Sequence, residues 1–370
     1  SHSCALFEDG NVKCWGDHAY GQLGLGDTDA HGDQNDEMGP GLPALDIALN
    51  TAVSALAAGY NHTCALLNDG KVACWGRNYY GQIGNGQSQK ITGDSSEAAA
   101  IPVHVKGLTH GIDVAAGHYH SCAVREGGSV WCWGRNNHGQ LGDGTTADSA
   151  TPVQVSGLNS GFVRVTAGYY HSCAARADGT VVCWGYNAWG QLGNDSNKTA
   201  NKPVEVKGLT GVTDVAAGYG FTCAQKTDGY VWCWGLNSNR QLGDNWIGGS
   251  WVPVVVQKLV KVDVMDTGRI SACAGLSDGT ARCWGYNGYG NLGNGLNKQT
   301  ATPVVVHALN KTRGISVGEY HACAAKTDGT VWCWGRNNYS QLGAKTAKAY
   351  SYVPVQVPQL KHVIAVTAGE

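Results

Sequence analysis

The stretch Ala167-Gly168-Tyr169-Tyr170-His171-Ser172-Cys173-Ala174, followed by Asp178-Gly179, Cys183-Trp184-Gly185 and Gly190-Gln191-Leu192-Gly193, decides how this chain is read. The pattern recurs seven times. Cys-Trp-Gly begins at Cys14, Cys74, Cys132, Cys183, Cys233, Cys283 and Cys333, and each has a partner ten positions earlier: Cys4, Cys64, Cys122, Cys173, Cys223, Cys273 and Cys323. These fourteen are all the cysteines present. Successive copies are 60, 58, 51, 50, 50 and 50 residues apart, a period that belongs to propellers and solenoids. Residues 1–370 are therefore expected to form one repeat domain, although length alone would suggest two or three.

Each copy reads as short extended runs with glycine punctuation and no helical period. Val163 and Val165 alternate, His171 to Ala175 extends, Asp178-Gly179 turns, and Val181 to Trp184 extends again. A fourth run opens on proline, as in Pro152-Val153-Gln154-Val155, Pro203-Val204-Glu205-Val206 and Pro303-Val304-Val305-Val306; proline suits the first residue of a strand. Four short antiparallel strands per copy make a propeller blade, so the fold class is all-β, a seven-bladed propeller.

The hairpin register follows from the turn. A three-residue loop ending in a left-handed glycine, Ala177-Asp178-Gly179, places Cys173 opposite Cys183. Opposed cysteines can form a disulfide, which gives seven bridges within the copies and an oxidising compartment. Fourteen reduced, buried thiols remain the alternative; zinc is disfavoured because the short Cys-x-x-Cys knuckle is missing. The same register sends the Trp of Cys-Trp-Gly to the other face, as expected of a blade covered on both sides. The seven tryptophans are read as packing between blades.

Ile364-Ala365-Val366-Thr367-Ala368-Gly369 matches Val163-Arg164-Val165-Thr166-Ala167-Gly168, and Ser1-His2-Ser3-Cys4 continues it. The first and last segments should therefore share one blade and close the ring, which removes open sheet edges.

Charge is balanced at a formal -2, with 15% charged residues, which disfavours nucleic acid as a ligand. No apolar run reaches the roughly eighteen residues of a transmembrane helix, and an export signal, if one exists, would lie outside this segment. Asn-x-Ser/Thr tripeptides stand at Asn61, Asn194, Asn197 and Asn310. No carboxylate pair, nucleophile with base, or cofactor loop recurs, so no enzyme activity and no cofactor are expected. The acidic connection 26–50, with Asp27, Asp29, Asp33, Asp36 and Glu37, offers side-chain oxygens to calcium; it lacks the twelve-residue calcium-loop pattern, and a solvated acidic loop is preferred. His2, His62, His120, His171 and His321 repeat at one position, replaced by Phe221 and Ser271 in two copies. A hydrogen bond to backbone is the expected role, rather than a shared metal.

The repeat Gly-x-x-His-Ser, Asp-Gly-x-Val, Trp-Gly-x-Asn-x-x-Gly-Gln-Leu-Gly and Pro-Val resembles the regulator of chromosome condensation repeat family over all 370 residues. That resemblance implies a seven-bladed propeller closed by its termini. Its functions range from a nuclear exchange factor for a small GTPase to secreted bacterial proteins. The paired cysteines and the lack of a basic arm resemble the secreted, alpha-tubulin-suppressor-like branch. The function expected is an extracellular, non-enzymatic protein-binding platform. A carbohydrate-binding propeller and an exchange factor are the alternatives.

The partner is sought at the two variable positions between glycine and histidine. These hold Tyr60, His118 and Tyr119, Tyr169 and Tyr170, Tyr219, Arg269, Glu319 and Tyr320, besides Asn61, Gly220, Ile270, Ser1 and Glu370. Six of the fourteen positions are tyrosine, a residue enriched at interfaces. Equivalent turns fall on one end of a propeller, so these side chains should form a ring. The long connections 26–50 and 87–100 would widen it, with Tyr119, Tyr170 and Tyr320 as anchors.

Overall fold

In the computed structural model, residues 1–27, 31, 37–46, 51–88, 99–346 and 348–369 are described. Seven antiparallel sheets form a ring. In one of them Phe162–Ala167 lies innermost, followed by His171–Arg176, Val181–Gly185 and Ala200–Glu205 at the rim. Six sheets have this four-strand order. The remaining one contains both ends of the chain: Val363–Ala368 is its inner strand, followed by His2–Phe7 and Val12–Gly16. A bridge from Gly16 to His31 falls where Gly76 pairs with Ala99 in the neighbouring blade, marking the fourth position. Ring closure is thus made by Ser3 opposite Ala368, Cys4 opposite Thr367 and Ala5 opposite Val366.

The hairpins have the expected register. Arg176 N–H donates to Thr180 O and Gly179 N–H to Arg176 O, with Gly179 at φ +81°, a three-residue turn closed by a left-handed glycine. Cys173 then opposes Cys183, and the same pairing holds in all seven blades. Seven disulfides result, with Cα atoms 4.0–4.1 Å apart and no free cysteine.

Each disulfide faces the next blade's tryptophan. Trp184 shares one apolar cluster with Cys122 and Cys132, Trp234 with Cys173 and Cys183, and Trp15 with Cys323 and Cys333 across the closure. All seven indoles are fully buried. Their N–H groups are served as well, since Trp184 Nε1 donates to Gln140 O, Trp234 to Gln191 O and Trp15 to Gln341 O. A buried indole needs such an acceptor, and here the Gly-Gln-Leu-Gly loop of the preceding blade supplies it.

The loop itself is held by its amides. Gln191 Oε1 accepts from Trp189 N–H, and Asn187 Oδ1 from Leu192 N–H. The first blade has His18 in place of asparagine: its Nδ1 accepts from Leu23 N–H, which leaves the ring proton on Nε2, 3.2 Å from Asp27. Of the acidic positions weighed for calcium, Asp29, Asp33 and Asp36 lie outside the described residues, as do 89–98 of the second long connection.

Candidate functional site

The inner strands line an axial cavity of about 270 Å³, walled by Val114, Val165, Met265, Ile315 and Val366 with Asp266, Thr166 and Thr367 among them. Neighbouring inner strands have no ladder between them. Side chains cap their free N–H groups instead, as Asp113 does for Val165, Thr166 for Ala217, Asp266 for Val317 and Thr367 for Ala58.

At one mouth the strands end in a collar of glycines. A Cβ on Gly59 would lie 2.3 Å from Gly117 O, on Gly117 2.4 Å from Gly168 O, and on Gly268 2.0 Å from Gly318 O. Only glycine allows that approach. The collar brings the next residue of six blades to the axis, and Tyr60, His118, Tyr169, Tyr219, Arg269 and Glu319 meet there in sequence. Tyr60 stacks on His118 at 4.0 Å, His118 lies 3.5 Å from Tyr169, and Tyr169 4.7 Å from Tyr219. Arg269 sits 5.5 Å over Tyr219, pairs with Glu319 and donates to Tyr320 Oη at 3.1 Å.

Tyr119, Tyr170 and Tyr320 form the second circle, each half-buried with its ring against neighbours. Burial pushes their phenols up, so they are neutral donors at physiological pH. His118 differs from its companions. At 2% exposed it is clamped beneath Tyr60 and Tyr169 and presents little surface. Glu370 lies outside the described residues.

A third set comes from the position after each Cys-Trp-Gly, which sequence reasoning missed. Its N–H donates to the second-circle carbonyl in every blade, as Arg135 does to Tyr119 and Tyr186 to Tyr170. The position therefore lies beside the ring, and it holds Asp17, Arg77, Arg135, Tyr186, Leu236, Tyr286 and Arg336. Trp189, Tyr80 and Tyr289 stand next to them. The available signal was variability inside an otherwise constant loop.

The repeated histidines do not bond to backbone as expected. His62 Nε2 meets Ser121 Oγ at 2.8 Å, His120 meets Ser172 and His171 meets Thr222, each in the next blade. That hydroxyl donates onward, Ser172 to Gln140 O and Thr222 to Gln191 O, so it accepts from the imidazole. Phe221 is followed by Ala272 and Ser271 by Ala322, so where the histidine is lost its partner is lost too. Asn61 is buried and Thr63 wholly so, which removes that tripeptide from the surface.

The RCC1-like domain profile matches residues 1–276, and the RCC1 repeat profile matches 278–325 and 328–370. The chain belongs to the RCC1-like propeller family. It is 32% identical over 214 residues to the ultraviolet-B receptor UVR8 of Arabidopsis thaliana, a match covering 56% of this chain and 44% of that protein. It is 33% identical over 216 residues to the E3 ubiquitin-protein ligase HERC2 of Homo sapiens, over 57% of this chain and 4% of that protein. The chain thus spans less than half the length of these curated relatives. Among solved structures, Prp20p of Saccharomyces cerevisiae, described with its binding to Gsp1p and histones, superposes with a TM-score of 0.81. Its identity is 21%, covering 99% of this chain and 91% of that one. RCC1-like propellers are mostly binding proteins or exchange factors, and the seven regular disulfides suit an oxidising environment.

Proposed function

We propose that this propeller is an extracellular, non-enzymatic platform that binds another protein on its tyrosine-bearing end. The observation that carries the proposal is the continuous surface of Tyr60, Tyr119, Tyr169, Tyr170, Tyr219 and Tyr320, interleaved with arginines, around one mouth of the ring. Tyrosine, tryptophan and arginine dominate binding hot spots, because they bury much area and lose little freedom on doing so. The small residues and disulfides beneath hold these rings on a rigid base. Bridges in every blade support the extracellular placement, and no helix among the described residues is long and apolar enough to cross a membrane.

The test is the triple substitution Tyr119→Ala, Tyr170→Ala and Tyr320→Ala in the oxidised protein. Proteins captured from the native extracellular milieu should be lost by at least about tenfold, since one hot-spot truncation costs about 2 kcal/mol or more, while the melting temperature stays within about 2 °C. Retained capture would place the site elsewhere. A captured small GTPase whose nucleotide release is accelerated would move the reading to an exchange factor, and capture through glycans alone would move it to a lectin.

A further inference from the structure

Two arginines on the tyrosine-bearing end are held by aromatic rings and, among the described residues, by no anion. Arg77 Cζ lies 4.9 Å from the Tyr20 ring centre, 5.8 Å from Tyr79 and 5.6 Å from Tyr119. Arg135 Cζ lies 4.7 Å from Tyr80, 5.2 Å from Tyr119 and 5.7 Å from Tyr170. Tyr119 is shared by both. Their main chains are pinned, Arg77 N–H to Asn61 O at 2.8 Å and Arg135 N–H to Tyr119 O at 2.9 Å. Both side chains are half-buried. Contact with a ring leaves in-plane guanidinium N–H donors free and their directions fixed, a fork that suits a carboxylate.

Among the described residues, no carboxylate stands within ion-pairing distance of either guanidinium, and neither donates a side-chain hydrogen bond. The other two arginines on this end each have a side-chain acceptor. Arg336 Nη2 donates to the Asn338 amide oxygen at 3.2 Å, in the orientation that satisfies both ends of that amide, although its Nε is left buried without a partner among the described residues. Arg269, set between Tyr219 and Tyr320, holds Glu319. The last is an internal example of what such a setting accepts.

We propose that Arg77 and Arg135, set on either side of Tyr119, read carboxylates on the docking protein, so that the partner presents an acidic segment to the edge of the ring formed by the second and third blades. The proposal rests on the reading of this end as the recognition face. Two local positive charges on a chain of net -2 attract a short acidic segment at contact range, whereas a long polyanion meets the overall negative charge.

The experiment is selection of a random twelve-residue displayed peptide library on the oxidised chain. Enriched peptides should carry clustered Asp or Glu. They should bind R77Q/R135Q at least about tenfold more weakly, and R77K/R135K with an intermediate loss, because lysine keeps the charge but not the fork. Unchanged melting temperatures would establish that both variants fold. Peptides without acidic bias that lose binding to Y119A/Y170A/Y320A but not to R77Q/R135Q would overturn the carboxylate proposal and leave the face intact. Peptides insensitive to both sets, or no enriched peptide, would overturn both. Tighter binding of a twelve-nucleotide oligothymidylate, lost in R77Q/R135Q, would overturn the acidic segment in favour of nucleic acid.

Discussion

His321 Nε2 stands 2.9 Å from Ser3 Oγ, across the boundary between the last repeat and the first. The link is the one His2 makes with Thr63 and His62 with Ser121, so the seam where the termini meet is built as an ordinary blade interface. Removing the strand Val363–Ala368 would therefore disturb more than a tail. That strand also caps Ala58 N–H through Thr367 Oγ1 and has its own Ala368 N–H capped by Ser316 Oγ, both at 3.0 Å. A chain ending at His362 should melt lower by on the order of 10 °C or more, or fail to stay soluble. Equal melting by calorimetry would show that closure is made elsewhere.

The imidazole and the hydroxyl of each interface should behave as one unit. Ser121→Ala leaves the His62 N–H without a buried acceptor, and His62→Phe leaves the hydroxyl with one partner fewer. Each single change should cost about 1–3 kcal/mol. The double variant copies the natural pair Phe221 and Ala272. It should recover on the order of 1 kcal/mol relative to the sum. Additive losses in urea unfolding would rule out the coupling.

Acid should loosen the ring, and the sign follows from burial. Desolvation holds His62, His120, His171 and His321 down at about 3, His118 at about 2 and His2 well below its ordinary value. As pH falls from about 6.5 towards 3, the unfolded chain binds six protons that these folded sites refuse, each worth about 1.4 kcal/mol per pH unit. Burial acts oppositely on Asp113, pushed up to about 7, Asp266, to about 6, and Asp214, also pushed up. These three favour the fold as pH drops towards 3.8. Six outweigh three. The melting temperature should fall steeply below about pH 6, and less steeply in H62F/S121A; a flat profile between pH 7 and 4.5 would contradict this.

The repeats also propose their own improvements. Lys258 and Lys261 adopt φ +57° where the preceding blade has Gly208 and Gly211, and Lys311 has φ +56°. A left-handed lysine is strained, although glycine frees the unfolded chain in return. Lys258→Gly, Lys261→Gly and Lys311→Gly should each raise stability by about 0.5–1 kcal/mol. Loss of stability in any of them would mean that the lysine side chain makes a contact outweighing its backbone.

The parity of the Ala177-Asp178-Gly179 turn made the cysteine register readable from the chain alone, and the match of 364–369 to 163–168 did the same for closure. The two variable positions after each glycine led to the ring because neighbouring turns share one end of a propeller. The histidine partners were not found, since the acceptor lies some fifty residues away and in another blade. The paired losses at Phe221 with Ala272 and Ser271 with Ala322 would have shown it. Arg77 and Arg135 escaped notice for a related reason: only folding brings the residue after Cys-Trp-Gly beside Tyr119 and Tyr170. Burial of His118 beneath two tyrosines is likewise a property of the collar, which no single repeat reveals.

Every disulfide joins cysteines ten residues apart within one hairpin, and none crosses from blade to blade. During synthesis each bridge can therefore form as soon as its own hairpin emerges, in order and without waiting for distant sequence. Oxidation has no wrong partner to favour while only one new pair is exposed at a time. The ring is another matter, because the strand that completes the first blade is the last of the propeller's own strands to be made. Until Val363–Ala368 arrives, a nascent chain is a row of cross-linked blades with His2–Phe7 unpaired along one edge. The vulnerable stage of the propeller is thus its closure, when all seven bridges can already be in place.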